Sequence, residues 1–528
     1  MLGGCASAAN LEDGGEHTTD EGTTGSPAYG SHTEGDSGGS GSGDESTSAA
    51  SSGGTGGTEQ GMDPGTTGEV PPDPGEPEPI DQFEPQAVDT DATCTSDAAV
   101  TWRVSVRRSD AMSSPAHARE ALLGQWPSLH GVAIRPWEFL NYYTFAYPLA
   151  PPGQLRASAQ LRAAKDDLGE LYDLQVAVSG PQLDEGQRPP VHLTLALDNS
   201  GSMEGKAVEL LKAAGHALAS RLRAGDTVAV VTWNAATPVL LPVTTVSGPN
   251  DPKLLAAIDA FTPGGSASLS QALMSGFAQA DEAYVASDIN RLVILSDGGA
   301  TASAEDLELL ETRSSDLPGA PGVHTIAIGV GDPALYRHDL LDAIAEAGGG
   351  PSLYVGSAGE AEAQLGKRFI SVMTQAATDV EVRLLLPPGL WLEVDVPMNI
   401  EVSEHDRVTL AAGDRAVVHR RLRPCVAEVD PTGLLGVELR WVDPLSGEVW
   451  ESTTEWKLEL LLAGETAWLA KGEAVLAYAA ALEAVQRDPG DTSALEEATL
   501  RLSAAKSLLP SDGELAEIGE VLAALQEP

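Results

Sequence analysis

Two acidic positions with neighbouring hydroxyl groups offer oxygen ligands for a metal ion. Asp198, Ser200 and Ser202 follow one apolar run in the order D-x-S-x-S, and Asp297 follows another apolar run about 100 residues later. A carboxylate with two hydroxyls supplies hard oxygen donors, which suit Mg²⁺ in octahedral geometry with retained water. Because the hydroxyls are neutral, the ion keeps its attraction for an incoming carboxylate. We therefore predict a site that binds an acidic group on a partner rather than one that generates hydroxide.

Alternating strand and helix patterns place both aspartates at the carboxyl ends of strands. Short apolar runs predict strands at residues 191–198, 226–232, 291–297, 324–329 and 352–355. Apolar residues at helical spacing predict helices between them, at residues 204–223, 252–260 and 268–286. This alternation over about 180 residues is typical of a doubly wound, Rossmann-like α/β sheet. In such sheets ligands bind beyond the carboxyl ends of the strands, which is where the candidate donors lie.

These residues resemble the von Willebrand factor type A (VWA) domain and its metal-ion-dependent adhesion site (MIDAS). The family pattern combines D-x-S-x-S with a distal threonine in a Gly-Gly-Thr turn and an aspartate at the end of an apolar strand, followed by glycine. Asp198, Ser200, Ser202 and Asp297 match that pattern. The resemblance implies a VWA domain at residues 190–375 that holds Mg²⁺, with Mn²⁺ or Ca²⁺ as alternatives. It also implies that the ion engages an acidic side chain of a protein partner.

The position of the distal threonine departs from the family pattern. The turn reads Pro-Gly-Gly-Ser-Ala-Ser over residues 263–268, and counting back from the following helix puts the expected threonine on Ala267. Ser266 or Ser268 supplies the hydroxyl after a shift of one residue, or this ligand is missing and the affinity for the ion is reduced. The sequence leaves these three alternatives open.

Two further segments resemble a bacterial family of VWA lipoproteins. Residues 133–148 resemble its segment upstream of the VWA domain, and residues 474–482 resemble part of its C-terminal helical domain. Strand-like alternation also flanks the predicted VWA domain, which indicates a β-sandwich. The predicted organisation is therefore a segment at 95–185 that contributes to the sandwich, the VWA domain at 190–375, the rest of the β-sandwich at 376–462, and a helical domain at 463–528.

The first 90 residues differ in composition from the rest of the chain. Residues 1–90 hold 18 Asp and Glu, no Lys or Arg, and long runs of Gly, Ser, Thr and Pro. A segment with so few apolar residues buries too little surface to offset the loss of chain entropy. We predict that residues 1–90 form a disordered acidic tether.

The extreme N-terminus suggests an anchor. Leu2-Gly3-Gly4-Cys5 resembles a bacterial lipobox, in which the cysteine is lipidated. A lipoprotein signal carries a charged and an apolar stretch ahead of that box, so either translation starts upstream of Met1 or Cys5 is incidental. An anchor at Cys5 followed by a flexible tether predicts a location in the cell envelope, lipid-anchored or secreted.

The three cysteines also bear on the redox compartment. If Cys5 is acylated, Cys94 and Cys425 remain as an even pair. In an oxidising envelope compartment such a pair can form one disulfide. The alternative is that both are unpaired small residues.

Composition and motif content argue against several other functions. The net charge of −47, from 31 Lys+Arg against 78 Asp+Glu, argues against binding nucleic acid. The sequence contains no run of 18 apolar residues, so it predicts no transmembrane helix. Membrane contact is therefore expected through a lipid anchor at most. The ten histidines show no zinc-binding spacing. No activated nucleophile or acid–base pair is evident, so we expect a binding protein and not an enzyme.

The sequence thus favours a cell-envelope binding protein whose VWA domain captures an acidic group through a divalent cation. A second hypothesis is a structural envelope protein with a vestigial, metal-free VWA site. Ala267 favours the second hypothesis, whereas the matching Asp198 and Asp297 oppose it.

Overall fold

The computed structural model describes most of the chain after residue 99. The described stretches are residues 100–104, 110–124, 128–234, 238–265, 267–315, 322–393, 408–490 and 492–526. All of them belong to one compact unit, Glu84–Pro528. The predicted tether at residues 1–90, with Cys5, lies outside the described residues, as do Cys94 and Ser266.

The secondary structure follows the chain in three groups. The first group is β1 (Val100–Val104), α1 (Ser113–Leu123), α2 (Pro136–Tyr142), β2 (Arg156–Asp166) and β3 (Gly169–Ser179). The second group is β4 (Val191–Leu197), α3 (Lys206–Ala219), β5 (Thr227–Thr232), β6 (Val239–Thr245), α4 (Pro252–Ala260), α5 (Leu269–Ala283), β7 (Ile289–Ser296), α6 (Ala304–Ser314), β8 (His324–Val330), α7 (His338–Ala347), β9 (Ser352–Val355), α8 (Ala358–Ala361) and α9 (Phe369–Met373). The third group is β10 (Thr378–Leu386), β11 (Leu390–Leu392), β12 (Arg415–Pro424), β13 (Leu434–Val442), β14 (Val449–Lys457), α10 (Leu458–Leu462), α11 (Ala467–Arg487), α12 (Ser493–Leu508) and α13 (Gly513–Ala524).

The second group forms a mixed sheet with the strand order β6-β5-β4-β7-β8-β9. β4, β5, β7, β8 and β9 are parallel, and β6 is antiparallel to β5. Every residue of β4 and of β7 is buried. Strands covered on both faces read as nearly continuous apolar runs, which is the pattern that predicted them. The predicted doubly wound α/β fold is confirmed.

Two antiparallel four-stranded sheets form the flanking β-sandwich. Their strand orders are β1-β10-β13-β14 and β11-β12-β3-β2. Strands that precede the central sheet pair with strands that follow it, β1 with β10 and β3 with β12. Leu174 and Leu384, both fully buried, lie in the single apolar core that the two sheets share. The sandwich is therefore assembled from chain segments on both sides of the central sheet.

The helices before and after the central sheet join its core. The N–H of Met112 donates to the carbonyl of Ser352 at 2.9 Å, which places α1 beside the edge strand β9. Covering an edge strand in this way hides backbone groups that would otherwise pair with another chain. Phe139 of α2 and Tyr478 of α11 are both buried, and their ring centroids lie 5.4 Å apart. Among the described helices, none has the length and hydropathy needed to cross a membrane.

Lys471, a buried lysine of α11, forms ion pairs that hold the last helix, α13, against α11. Lys471 of α11 is 1% exposed, and its Nζ donates to carboxylate oxygens of Asp512 and Glu514, each at 2.6 Å. The other oxygen of Asp512 accepts the N–H of Leu515 at 3.1 Å and so caps α13. A cation this deeply buried needs such paired and hydrogen-bonded partners. The predicted C-terminal helical region is thus packed against the rest of the unit.

Cys425 directly follows β12, and its backbone N–H donates to the carbonyl of Gly389 at 2.9 Å. Cys425 is disulfide-bonded. The other two cysteines, Cys5 and Cys94, both lie outside the described residues. The pairing of Cys425 with Cys94 in particular stays a prediction.

A buried ion pair fixes the starts of β4 and β5. Arg188 donates to Asp226 through two bonds, Nη1 to Oδ1 at 3.0 Å and Nη2 to Oδ2 at 2.6 Å, and both side chains are buried. The N–H groups of Val191 and Arg223 also donate to this carboxylate, at 2.9 and 2.8 Å. Burial raises the pKa of Asp226, but these hydrogen bonds outweigh it and hold the pKa below its usual value.

We predict that Asp226→Asn lowers the free energy of unfolding by about 3–5 kcal/mol at neutral pH, because it leaves the guanidinium of Arg188 buried without its counter-charge. The folded-state pKa of Asp226 is lowered, so its contribution is complete above the unfolded-state pKa of about 3.9. That contribution is lost as the pH falls through the lower folded-state pKa.

Denaturant titrations at neutral and at acidic pH should therefore show that the free energies of unfolding of the wild type and of Asp226→Asn become equal in acid. Asp259→Asn is the matched control, since Asp259 forms an exposed pair with His216. It should change the stability by less than about 1 kcal/mol. A difference between wild type and Asp226→Asn that stays constant into strong acid would contradict this account.

Candidate metal centre

Parallel pairing of β4 with β7 brings the two predicted aspartates to the same edge of the sheet. Leu197 and Leu295 are register partners, and the N–H of Asp198 donates to the carbonyl of Leu295 at 2.9 Å. Asp198 and Asp297 therefore follow neighbouring strand ends. The chain continues from β4 to β5 on one side and from β7 to β8 on the other. The crevice between β4 and β7 is thus the topological switch point, where α/β sheets bind ligands.

The carboxylate of Asp198 is oriented by two donors. Its Oδ1 accepts the backbone N–H of Ser200 at 2.9 Å, and its Oδ2 accepts the hydroxyl of Ser296 at 2.6 Å. Asp198 is 1% exposed. Burial raises the pKa of Asp198, the hydrogen bonds from Ser296 and Ser200 oppose this, and the nearby charge of Asp297 adds to the rise. The site therefore holds two carboxylates close together, an arrangement that a bound cation stabilises.

The two serines of the D-x-S-x-S sequence present their hydroxyls side by side. Ser200 and Ser202 lie on the loop that follows β4, which includes the short 3₁₀ turn Gly201–Met203. Their Oγ atoms are 2.9 Å apart. Ser200 is half-buried and Ser202 is exposed, so this end of the crevice is open to solvent.

Asp297 lies across the crevice from Ser202. Its Oδ1 accepts the N–H of Gly299 at 2.9 Å, and Asp297 is 8% exposed. A Cβ atom at Gly299 would lie 3.0 Å from Asp297 Oδ1 and 3.5 Å from Ser202 Oγ. Asp297 and Ser202 therefore border the same small space, which a side chain at position 299 would fill.

Gly298 lets the chain after β7 pass close to the segment that precedes α7. Its φ is +81°, in the left-handed region that glycine adopts without strain. A Cβ at this position would lie 2.1 Å from the carbonyl oxygen of Arg337. The N–H of Arg337 in turn donates to the carbonyl of Asp297 at 3.1 Å. The backbone of the residues around Asp297 is thus held by the loop between β8 and α7.

The turn at residues 263–268, predicted to supply the distal hydroxyl, is hydrogen-bonded to the loop after β4 and to the residue after β5. The N–H of Gly264 donates to the carbonyl of Asn199 at 2.9 Å, and the N–H of Ser268 donates to the carbonyl of Trp233 at 3.1 Å. The hydroxyl of Ser268 caps α5 by accepting the N–H of Gln271 at 3.4 Å. Ala267, the position of the family threonine, is half-buried and packs on the core. Ser266, the remaining candidate, lies outside the described residues.

The donors present fit a small divalent cation. Two ligands on adjacent corners of an octahedron with metal–oxygen distances of about 2.1 Å lie about 3 Å apart. The Oγ atoms of Ser200 and Ser202, 2.9 Å apart, have that separation. Asn199 Oδ1, on the residue directly before Ser200, is buried and has no hydrogen-bond partner among the described residues. An acceptor of this kind suits a water molecule in the shell of an ion.

A second cluster of acidic and histidine side chains lies between the sandwich and α11. Oxygen atoms of Asp173 and Glu473 and a ring nitrogen of His419 lie within 4.8 Å of one another. Arg162 bridges both carboxylates, and Arg421 lies 3.6 Å from Asp173. Because these guanidinium groups already neutralise the carboxylates, we interpret the cluster as an ion-pair network that docks α11, not as a metal site.

Residues 193–300 match the family model described as the von Willebrand factor type A domain. The chain contains a VWA domain. The matched region runs from β4 past the end of β7. It therefore includes the D-x-S-x-S sequence and Asp297. A VWA domain supports a role in protein interaction.

Two curated bacterial relatives match about half of this chain. The uncharacterized protein YfbK of Escherichia coli K12 is 24% identical over 268 residues, which are 49% of this chain and 46% of that protein. The uncharacterized protein sll0103 of Synechocystis is 26% identical over 291 residues, 52% of this chain and 67% of that protein. A solved structure, von Willebrand factor type A from Catenulispora acidiphila, has 16% identity and a TM-score of 0.41, and covers 72% of this chain and 91% of its own. The chain thus spans about half the length of YfbK.

The sequence predicted donors for the candidate site but not the residues that orient them. Ser296 ends β7, and its hydroxyl holds the carboxylate of Asp198. Its place directly before Asp297, after the four apolar residues 292–295, was a usable signal. Arg337 holds the backbone of Asp297 through its own N–H. A backbone contact leaves no trace in residue type, so Arg337 carried no signal.

We predict that Gly298→Ala destabilises the VWA domain more than Gly131→Ala does. Both glycines have a similar positive φ, +81° and +79°, so both substitutions incur about 1–2 kcal/mol of backbone strain. Only at Gly298 does the added Cβ overlap a neighbour, the carbonyl oxygen of Arg337, whereas a Cβ at Gly131 meets open space. We expect the overlap to lower the free energy of unfolding by a further 1–3 kcal/mol, roughly. Denaturant unfolding of both variants tests this, and equal losses would contradict the packing described here.

Proposed function

We propose that this protein is a non-enzymatic binding protein of the cell envelope whose VWA domain binds a divalent cation and uses it to engage an acidic group on a protein partner. Asp198, Ser200 and Ser202 would hold the ion, with Asp297 and a serine of the 263–268 turn behind them. The ion would supply an electrophilic position for an incoming carboxylate. The chain's own residues orient the donors and leave one side of the site open to solvent.

The convergence of two carboxylates and two hydroxyls at one edge of the sheet is the observation that carries this proposal. Ser200 Oγ and Ser202 Oγ are hydrogen-bonded to each other at 2.9 Å, and Asp198 and Asp297 follow the ends of the paired strands β4 and β7. A carboxylate with neutral hydroxyls is a hard oxygen donor set, which suits Mg²⁺ and the similar Mn²⁺, with Ca²⁺ as an alternative.

The second candidate is a structural envelope protein whose VWA site is vestigial and holds no metal. Ala267 at the position of the family threonine supports it, because a methyl group cannot ligate an ion. The hydroxyl of Ser268 caps its own helix, which leaves Ser266 as the candidate for the last ligand. The two candidates differ in one measurable property, the affinity of the whole chain for Mg²⁺.

Titration of the full chain with Mg²⁺ by calorimetry, and with Mn²⁺ by electron paramagnetic resonance of the free ion, separates them. We expect one Mg²⁺ or Mn²⁺ ion per chain, no binding by Asp198→Ala, and affinity reduced about 10–100-fold in Ser296→Ala, since Ser296 only orients a ligand. Ser446→Ala, in the exposed turn between β13 and β14, is the matched control and should bind as the wild type does. A wild-type chain that binds neither ion would reject the metal-dependent function in favour of the vestigial site.

The location in the cell envelope is supported by two features of the chain. The sequence at residues 2–5 resembles a lipobox, and the acidic segment that follows is long enough to hold a VWA domain away from a membrane. The disulfide at Cys425 is the kind of bond that persists in an oxidising compartment outside the cytoplasm.

We predict that Cys5 carries a lipid when the gene is expressed from its own locus in its native host. Metabolic labelling with an alkyne fatty acid should mark the wild-type protein and place it in the membrane fraction. Cys5→Ser should remove both the label and the membrane association, while the matched Cys425→Ser keeps them. Equal labelling of wild type and Cys5→Ser would rule out acylation at this residue.

A further inference from the structure

The loop between β8 and α7, residues 331–337, is a closed turn next to the candidate metal centre. The carbonyl of Asp332 accepts the N–H groups of Leu335 and Tyr336, both at 3.0 Å. Its carboxylate accepts the N–H of Ala334 at 2.9 Å. These bonds give the backbone of the loop one defined shape, which fixes the points from which its exposed side chains start. We call residues 331–337 the β8–α7 loop.

Buried aromatic side chains pack against the inner side of the β8–α7 loop. The ring of Tyr336 covers Gly329, where a Cβ would lie 2.2 Å from the ring. Tyr336 also packs against His117 of α1 and against Tyr354 of β9, with ring centroids 4.9 and 4.5 Å away. Burial lowers the pKa of His117 to about 4, so the ring is neutral at pH 7. Its Nε2 lies 2.8 Å from the carbonyl of Pro333, to which a neutral ring can donate one hydrogen bond.

The same loop exposes an apolar and a cationic side chain beside the metal centre. Leu335 is 73% exposed, and Arg337 is exposed as well. Arg337 adjoins the site through its backbone, and its Cβ lies 3.0 Å from the point that a Cβ of Gly298 would occupy. Within the described part of the chain, the guanidinium of Arg337 forms no ion pair. By contrast Arg135 and Arg313 each pair with an aspartate.

Arg337 is thus an exposed positive charge without an ion pair among the described residues, in a chain with 78 acidic and only 31 basic residues. A guanidinium on a rigid support is well suited to bind a carboxylate through two parallel hydrogen bonds. A single exposed ion pair between a carboxylate and an arginine binds weakly. The exposed leucine beside Arg337 offers an apolar contact of the kind that protein interfaces contain at their centre. The metal centre and the β8–α7 loop together therefore offer two positions for acidic groups and one for an apolar group.

We propose that the β8–α7 loop selects the partner: the recognised segment presents two acidic side chains flanking an apolar one. The first carboxylate goes to the metal ion, the second to Arg337, and the apolar side chain covers Leu335. This inference rests on the proposed function of the metal centre, and it adds the chemical class of the segment that the centre takes.

Binding of synthetic peptides to the full chain tests this inference. The probes carry one aspartate, a second acid or its amide two to four positions away, and leucine or serine between them. Their binding is measured in Mg²⁺ and in EDTA. We expect the wild type to prefer the peptides with two acids and leucine by about tenfold, as for one charge-assisted contact, and only in Mg²⁺. Arg337→Gln should lose the preference for the second acid, and Leu335→Ser the preference for leucine.

Matched controls separate these effects from a general loss of charge or apolar surface. Arg156→Gln and Leu168→Ser change an exposed arginine and an exposed leucine on the sandwich, and both should behave as the wild type. Arg337→Gln and Leu335→Ser should also keep the wild-type affinity for Mg²⁺, which shows that the metal centre is intact. Unchanged preferences in Arg337→Gln, or a wild type that binds Mg²⁺ but does not discriminate among the peptides, would overturn the role of the loop. Absence of Mg²⁺ binding by the wild type would instead overturn the function of the metal centre, and this inference with it.

Discussion

The parallel pairing of β4 with β7 is the interaction on which the candidate metal centre depends. Parallel strands end at the same edge of a sheet, so their register alone brings Asp198 to Asp297, two residues far apart in the chain. The pairing is stable because every residue of both strands is buried between helices. Apolar burial on both faces thus fixes the positions of the two carboxylates, although neither contributes to that burial. A one-residue slip of either strand would separate the donors.

Placing two carboxylates at a strand edge creates an electrostatic cost that the local structure only partly offsets. Asp198 is almost fully buried, and its oxygens accept hydrogen bonds from Ser296 and from the backbone of Ser200. These bonds fix the direction of the carboxylate, but they do not remove its repulsion from Asp297. A cation in the crevice would do so. The hydrogen bonds that orient Asp198 and the repulsion from Asp297 that they leave uncompensated are therefore two aspects of one arrangement.

The segments around the VWA domain are part of its structure. α1 covers the edge strand β9, and His117 on that helix supports the β8–α7 loop, which holds the backbone of Asp297. The β-sandwich combines strands from before and after the central sheet, so neither half can form it alone. Lys471 and its two carboxylate partners then fasten the last helix. The geometry of the metal centre consequently depends on residues that lie outside the region matched by the family model.

The sequence by itself determined the α/β fold and the flanking strands and helices, and it singled out four candidate donors: Asp198, Ser200, Ser202 and Asp297. It could do so because strand burial and helix amphipathicity leave a periodic pattern, and because metal donors must be particular residue types. Only the tertiary structure decided that Ser296 orients Asp198, that Gly298 must lack a side chain, and that Arg337, which forms no ion pair with another described residue, adjoins the site. These features depend on contacts between segments distant in sequence, and several involve backbone atoms that every residue shares. Such contacts have no signature in residue type, so they become visible only when the chain is folded.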